Sequence, residues 1–181
     1  MYDRTERGEA HRRQPESPAA RLDLRTYVPA FIAFLSYKLS RGASRLYQMH
    51  FGVTTIDWRI IALLAEEPAI SGQRICRVIG LDRASVSRSL TALHGRRLVR
   101  FSPSDDARER LVTLTPDGID LYGRIARIAL ERERRLLSCL TADERKTLVG
   151  LLERVHANIG AVDEPLDIAA FASRAAERDA S

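Results

Sequence analysis

Apolar residues recur at helical spacing over most of this chain, and the breaks in that rhythm fall where caps and turns would cut it into separate helices. From Tyr27, residues Val28, Phe31, Leu35, Leu39, Ala43, Leu46 and Met49 share one face, with Pro29 acceptable in a first turn. This predicts a long first helix ending near Phe51-Gly52. Thr54 or Thr55 then caps a second helix, with Asp57 placed to answer Thr54 as in a capping box and Trp58, Ile61, Leu64 and Ala65 on the buried side. Glu66-Glu67-Pro68 stops it. Ser71 opens a short helix through Ile75, Val78 and Ile79 that Gly80 ends in a left-handed conformation, and Asp82 at once caps the next. Two short helices joined across a glycine-containing turn make a helix-turn-helix pattern. In the second of them Val86, Leu90 and Leu93 form the apolar stripe. Ala84, Ser85, Arg88, Thr91 and Ala92 face away from it, with Ser87 on the flank.

After Arg96-Arg97 the period changes. Residues 98–101 and 110–114 read as short strands around a polar tip, Ser102-Pro103-Ser104-Asp105-Asp106-Ala107-Arg108, and so predict a hairpin. Thr115-Pro116 starts another helix, hydroxyl cap then proline, which continues through Leu121, Tyr122, Ile125, Ile128 and Ala129 to Leu137. Thr141-Ala142-Asp143-Glu144 is a capping box for a last long helix carrying Leu148, Leu151, Leu152, Val155 and Ile159. The expected division is a disordered tail over 1–22, an N-terminal helix over 23–52, a helix-turn-helix and hairpin lobe over 53–116, C-terminal helices over 117–160, and a flexible or short-helix tail over 161–181. The fold class is therefore mainly α with a small β-wing.

Charge sharpens the picture. A formal net charge of +5 and a pI near 9.7 favour a polyanionic partner, and the distribution matters more than the sum. Arg74, Arg77, Arg83, Arg88, Arg96, Arg97, Arg100, Arg108 and Arg110 all fall in the helix-turn-helix and hairpin stretch. A helix presenting small polar and cationic groups to a groove, followed by arginines on a projecting loop, can supply base-edge hydrogen bonds and phosphate neutralisation together. No Gly-rich phosphate loop, metal-ligand spacing or nucleophile arrangement is present, so catalysis has no residues to rest on and neither cofactor nor metal is expected. No apolar run reaches the roughly 18 residues of a membrane span, and the N-terminus lacks a secretory core, which predicts a cytoplasmic location. Cys76 and Cys139 sit in separate predicted helices, and Cys76 reads as a small core residue.

The chain resembles the MarR family of winged helix-turn-helix transcriptional regulators over about residues 30 to 160. The resemblance is carried by Trp58-Arg59-Ile60-Ile61, Ser85-Val86-Ser87-Arg88, Asp106-Ala107-Arg108 and Leu114-Thr115-Pro116-Asp117-Gly118, in that order. One departure is visible: the family commonly has glycine between recognition helix and wing, where this chain has Arg97, and Gly95 is expected to take over the left-handed position. The resemblance implies a homodimer in which the first helix and the last two pack across a two-fold axis, placing two recognition helices in successive major grooves of a palindromic double-stranded DNA. The terminal helices, which carry more apolar surface than a small wing lobe can cover, agree with it. In this picture Ser85, Ser87, Arg88 and Thr91 read bases and nearby phosphates, Arg108 enters a minor groove, and Arg74, Arg83 and Arg110 position the backbone. Asp106 pairs with an arginine and braces the wing. Trp58 is read first as a core residue.

The resemblance also implies a small-molecule effector, an aromatic acid or an acyl-CoA, bound between the long helices and the DNA-binding lobe, with Arg41, Ser44, Tyr47, His50, Trp58 and Tyr122 as lining candidates. The stretch from Leu39 to Trp58-Arg59 is similar to members that control hydroxycinnamate catabolism and sense hydroxycinnamoyl-CoA thioesters, and Arg41 and Arg45 would suit CoA phosphates. Repression of such an operon is the expected output. A thiol sensor built on Cys76 or Cys139, a metal sensor using the scattered His11, His50, His94 and His156, and an interaction-only winged helix are the rival readings. The last would be expected to lack the arginine-bearing wing and the polar outward helix face.

Overall fold

The computed structural model describes residues 22–103, 110–165, 167 and 168; the expected N-terminal tail up to residue 21 and the hairpin tip lie outside the described residues. Helix α1 spans Val28–Phe51, with a proline in its first turn and Gly52 as a left-handed C-cap at φ 63°. Helix α2, Thr55–Glu66, is capped by Thr54 rather than Thr55: Thr54 N–H donates to Asp57 Oδ2 at 2.8 Å and Asp57 N–H donates to Thr54 Oγ1 at 3.1 Å. Both halves of that capping box lie within four residues, which is why the sequence shows it. Strand β1 is the pair Ile70–Ser71, followed by α3 (Gly72–Ile79), α4 (Arg83–Gly95), β2 (Val99–Pro103), β3 (Arg110–Leu114), α5 (Pro116–Leu136) and α6 (Ala142–Ala157). Ile159, expected in the last helix, falls instead in a 3-10 turn, Ile159–Val162.

The sheet is antiparallel in the order β1-β3-β2, with Ile70 opposite Val112 and β2 paired to β3 from Val99↔Leu114 to Pro103↔Arg110. Strand β2 runs two residues beyond the expected Phe101. Its outer edge carries no partner strand among the described residues, so Pro103, which has no N–H to donate, is accommodated there.

The core is gathered between α2, α3, α4 and the sheet, and is closed by the facing sides of α1 and α5. Ile60, Ile61, Leu64, Ile75, Val86, Leu93, Val99, Val112 and Ile125 are essentially inaccessible to solvent. Helix α2 packs against α1, α4, α5 and β3 at once, so it is buried around more than half its girth. That corrects the expected stripe: Ile60 and Leu63 are buried, whereas Ala65 is exposed. Val78 is likewise 40% exposed, because the eight-residue α3 buries fully only Ile75. At the other extreme, α6 contains no buried residue, and Phe31 and Leu35 of α1 are about half exposed in the single chain.

Candidate nucleic-acid interface

Helix α4 is built outward from its cap. Asp82 accepts from Ser85 N–H at 2.8 Å and from Ser85 Oγ at 2.7 Å, and Arg88 Nη2 donates to Ser85 Oγ at 3.0 Å. The hydrogen bonds from Ser85 hold the Asp82 carboxyl below its ordinary pKa, side-chain bond first and backbone bond second, so it stays ionised. Two of the expected base readers, Ser85 and Arg88, are thus joined into one network before any DNA arrives. On the inner face Val86, Leu90 and Leu93 enter the core, and the Ser89 hydroxyl donates to the buried carboxylate of Asp57. One carboxylate therefore caps α2 and ties α4 to it.

Arg83, Ser87, Arg88 and Thr91 are exposed on the outer face of α4. Thr91 Oγ1 donates back to Ser87 O at 2.9 Å, so its hydroxyl hydrogen is already engaged within the helix. Between this face and the hairpin runs a groove of about 460 Å3 lined by Arg83, Ser87, Thr91, Cys76, Phe101 and Arg110 among others. The Arg110 guanidinium lies 4.7 Å from the centre of the Phe101 ring, so stacking orients it at the rim of the groove, and its N–H groups have no hydrogen-bond partner among the described residues. Arg74 is drawn elsewhere: it makes a bidentate pair with Glu67, 2.9 Å on each side, which lowers the Glu67 pKa and neutralises the arginine locally. Asp106 and Arg108 belong to 104–109 and lie outside the described residues.

The junction beneath the wing departs from the expected geometry. Gly95 is still helical, and Arg97 itself takes the left-handed conformation at φ 58°. The reason is the chain's need to reverse immediately before Leu98, whose N–H donates to Leu93 O at 2.9 Å; a left-handed residue two positions earlier would have unwound that closure. Thr115 then locks the turn, with Oγ1 donating to Arg97 O at 2.6 Å and N–H donating to Leu98 O at 3.1 Å. Gly118 follows because its Cα rests against the Leu98 carbonyl, where a side chain would not fit. Threonine and glycine three residues apart thus join α4, wing and α5 at one point. Arg96 also turns away from the groove, with its guanidinium on the carbonyls of Phe51 and Gly52.

A second region lies between α1, α2 and α5. Trp58 stacks on Tyr122 with centroids 5.8 Å apart at 16°, and Tyr47 tilts against the same indole at 5.8 Å and 57°. The indole forms a wall shared by cavities of about 600 and 720 Å3. Two cations outside the expected lining set reach across the first: Arg59 Nη2 donates to Ser40 Oγ and Arg132 Nη2 to Leu39 O, both at 3.2 Å. Thr55 Oγ1 is buried beside them without a hydrogen-bond partner among the described residues, and burial raises the Tyr47 pKa, which keeps its phenol a donor. Tyr47, Trp58 and Tyr122 are brought together here. Arg41 and Ser44 are exposed and line neither cavity, and His50 lines a separate depression with Arg96 and Arg124. Arg59 was visible beside Trp58, but Arg132 lay hidden in a charge-rich run that reads as solvated surface.

Cys76 is half-buried in the groove and Cys139 exposed, and no cluster of His, Cys, Asp or Glu among the described residues could hold a metal ion. No described helix is long and apolar enough to cross a membrane.

Residues 51–109 match the sequence model of the MarR family. The chain is 31% identical over 102 residues to the homoprotocatechuate degradative operon repressor of Escherichia coli, covering 56% of this chain and 69% of that protein. It is 27% identical over 106 residues to a Thauera aromatica protein named as a transcriptional regulatory protein for the hcr operon, covering 58% of this chain and 64%, just under two thirds, of the relative. Among solved structures, a MarR/EmrR family transcriptional regulator from Acinetobacter sp. ADP1 superposes with a TM-score of 0.72 at 30% identity, over 77% of this chain and 99% of the other.

Proposed function

The chain belongs to the MarR family of transcriptional regulators, and on that premise we propose that it is a homodimeric repressor of an aromatic-compound catabolic operon, released from a palindromic operator by a small aromatic acid or its CoA thioester. The observation that carries the DNA half is the division of α4: Val86, Ser89, Leu90 and Leu93 are buried, while Arg83, Ser87, Arg88 and Thr91 stand unshielded on the opposite side. Ser87, Arg88 and Thr91 face base edges in the major groove, Arg83 and Arg110 hold phosphates, and Arg108 enters the minor groove beside it. Arg74 contributes less than its position suggests, because Glu67 already neutralises it.

A two-fold partner gives the exposed apolar faces of α1 and α6 somewhere to go, and it doubles the reading head. The effector half rests on the cavity beside Trp58. Its aromatic wall suits a planar ring, Arg59 and Arg132 suit a carboxylate, and the Tyr47 and Thr55 hydroxyls suit a phenol or carbonyl oxygen. A CoA thioester would extend from it toward the exposed Arg41 and Arg45 of α1. Two relatives named for the control of operons, one of them for homoprotocatechuate degradation, support the aromatic theme.

The test is to enrich a duplex from a randomised pool with the protein, then screen phenolic acids and their CoA thioesters for release. Release demands that the ligand prefer a conformation that DNA does not, since equal affinity for both states shifts nothing. A duplex enriched as a palindrome and released by an aromatic acid or thioester supports the reading. No enrichment, or release by none of these compounds, refutes the corresponding half.

A further inference from the structure

Arg96 follows α4 directly, in a stretch rich in arginines, yet its guanidinium points toward α1. Nη1 donates to Gly52 O at 2.6 Å and Nη2 to Phe51 O at 2.9 Å, across 44 and 45 residues of sequence. These are the carbonyls of the last residue of α1 and of its C-cap, at the negative end of the helix dipole. At its base the same residue belongs to the recognition helix, because its backbone N–H donates to Ala92 O and His94 O. Asp117 and Asp120 line the same depression, but Arg96 forms no ion pair with them among the described residues. The guanidinium thus bridges two carbonyls on one helix from the end of another, a span that needs a planar two-pronged donor and that lysine cannot reproduce.

We propose that Arg96 is a positioning residue for DNA reading: it fixes the recognition helix on α1, and so sets the tilt and spacing at which the two reading faces meet successive grooves, without touching a phosphate. The inference rests on the DNA-reading function proposed above. Helix α1 carries the exposed apolar face assigned to the partner subunit, so a link from its end to α4 ties the reading head to the two-fold frame. The Ser89–Asp57 bond holds the same helix to α2 and the Thr115–Arg97 bond holds the residue after Arg96 to the start of α5, so the fold of α4 does not rest on Arg96, whose own contribution is the link to the end of α1.

The experiment compares the parent, Arg96→Ala and Arg96→Lys by fluorescence anisotropy on two labelled duplexes, one enriched by the parent from a random pool and one of scrambled sequence, over a salt series. Circular dichroism and sedimentation check that each variant is folded and assembled like the parent. The expected result is about a tenfold loss of affinity for the enriched duplex, little change on the scrambled one, and an unchanged salt slope on both, with lysine behaving as alanine. A slope lower by about one unit per subunit, restored by lysine, would make Arg96 a phosphate contact and overturn the proposal. Equal losses on both duplexes, or parental selectivity in both variants, would overturn it too. A parent that binds neither duplex refutes the DNA-reading function itself, and the positioning role with it.

Discussion

Replacing Gly118 with alanine puts a methyl group where the structure has a backbone carbonyl. The new Cβ would lie inside the contact radius of Leu98 O, 3.1 Å from Leu98 C and 3.2 Å from Leu114 Cδ2. Backbone cannot swing aside as a long side chain can, so α5 must back away from the start of β2. That movement strains the bonds Thr115 N–H to Leu98 O (3.1 Å) and Thr115 Oγ1 to Arg97 O (2.6 Å). Overpacking of this kind costs about 1–3 kcal/mol, each weakened hydrogen bond adds about 0.5–1.5 kcal/mol, and alanine's better helix propensity returns up to about 1 kcal/mol. The net expectation is a loss of about 2–4 kcal/mol, or a fall in melting temperature of about 5–15 °C for a chain of this size. The control is Gly123→Ala in the same helix, where nothing lies within 4 Å of the added atom; it should raise stability by about 0.5–1 kcal/mol. Thermal unfolding followed by circular dichroism at fixed protein concentration reads both variants. Equal effects at the two glycines, or a stabilised Gly118→Ala, would refute the close packing of α5 on the wing junction.

Arg97→Gly should stabilise the protein by about 0.5–1 kcal/mol, because relief of a left-handed arginine outweighs the added freedom of the unfolded chain; a lower urea midpoint would contradict this. Asp82→Ala should lower the melting temperature and weaken selective DNA binding together, since it removes both the cap of α4 and the anchor of Ser85, while Asp82→Asn retains most of the cap. The Asp82 carboxyl titrates lower folded than unfolded, so its contribution is complete above the ordinary carboxylate pKa and disappears as pH falls through the folded value; the parent should lose that part of its stability in acid and Asp82→Ala should not. Arg108→Ala should flatten the salt dependence of DNA binding by about one unit per subunit contact, whereas Ser87→Ala should change sequence preference more than non-specific affinity, both read by anisotropy.

Local chemistry was legible in the sequence, and tertiary chemistry was not. Thr54, Ser71, Asp82, Thr115 and Thr141 all cap as expected, because a cap is settled within four residues. The polar outer face of α4 followed from its apolar stripe for the same reason. Strand β1 was missed because two residues have no period, and Ile70 and Ser71 become a strand only by pairing with Leu111 and Val112. The left-handed residue was placed at Gly95 because glycine is the cheapest choice locally, but closure of Leu98 onto Leu93 puts it at Arg97. Arg96 was counted only among the arginines of the helix-turn-helix and hairpin stretch, Arg59 only as part of a motif, and Arg132 not at all. Their roles depend on carbonyls and hydroxyls of α1 that lie tens of residues away in the chain.

The central claim is that the outer face of α4 and the wing grip DNA. Its most direct test is anisotropy of a labelled palindromic duplex, enriched by the protein, titrated from low to physiological salt. The account predicts tight binding at low salt and a steep negative slope of log affinity against log salt, as arginines displace counterions from phosphates. A folded protein that fails to bind at low salt, or binds with no salt dependence, would contradict it.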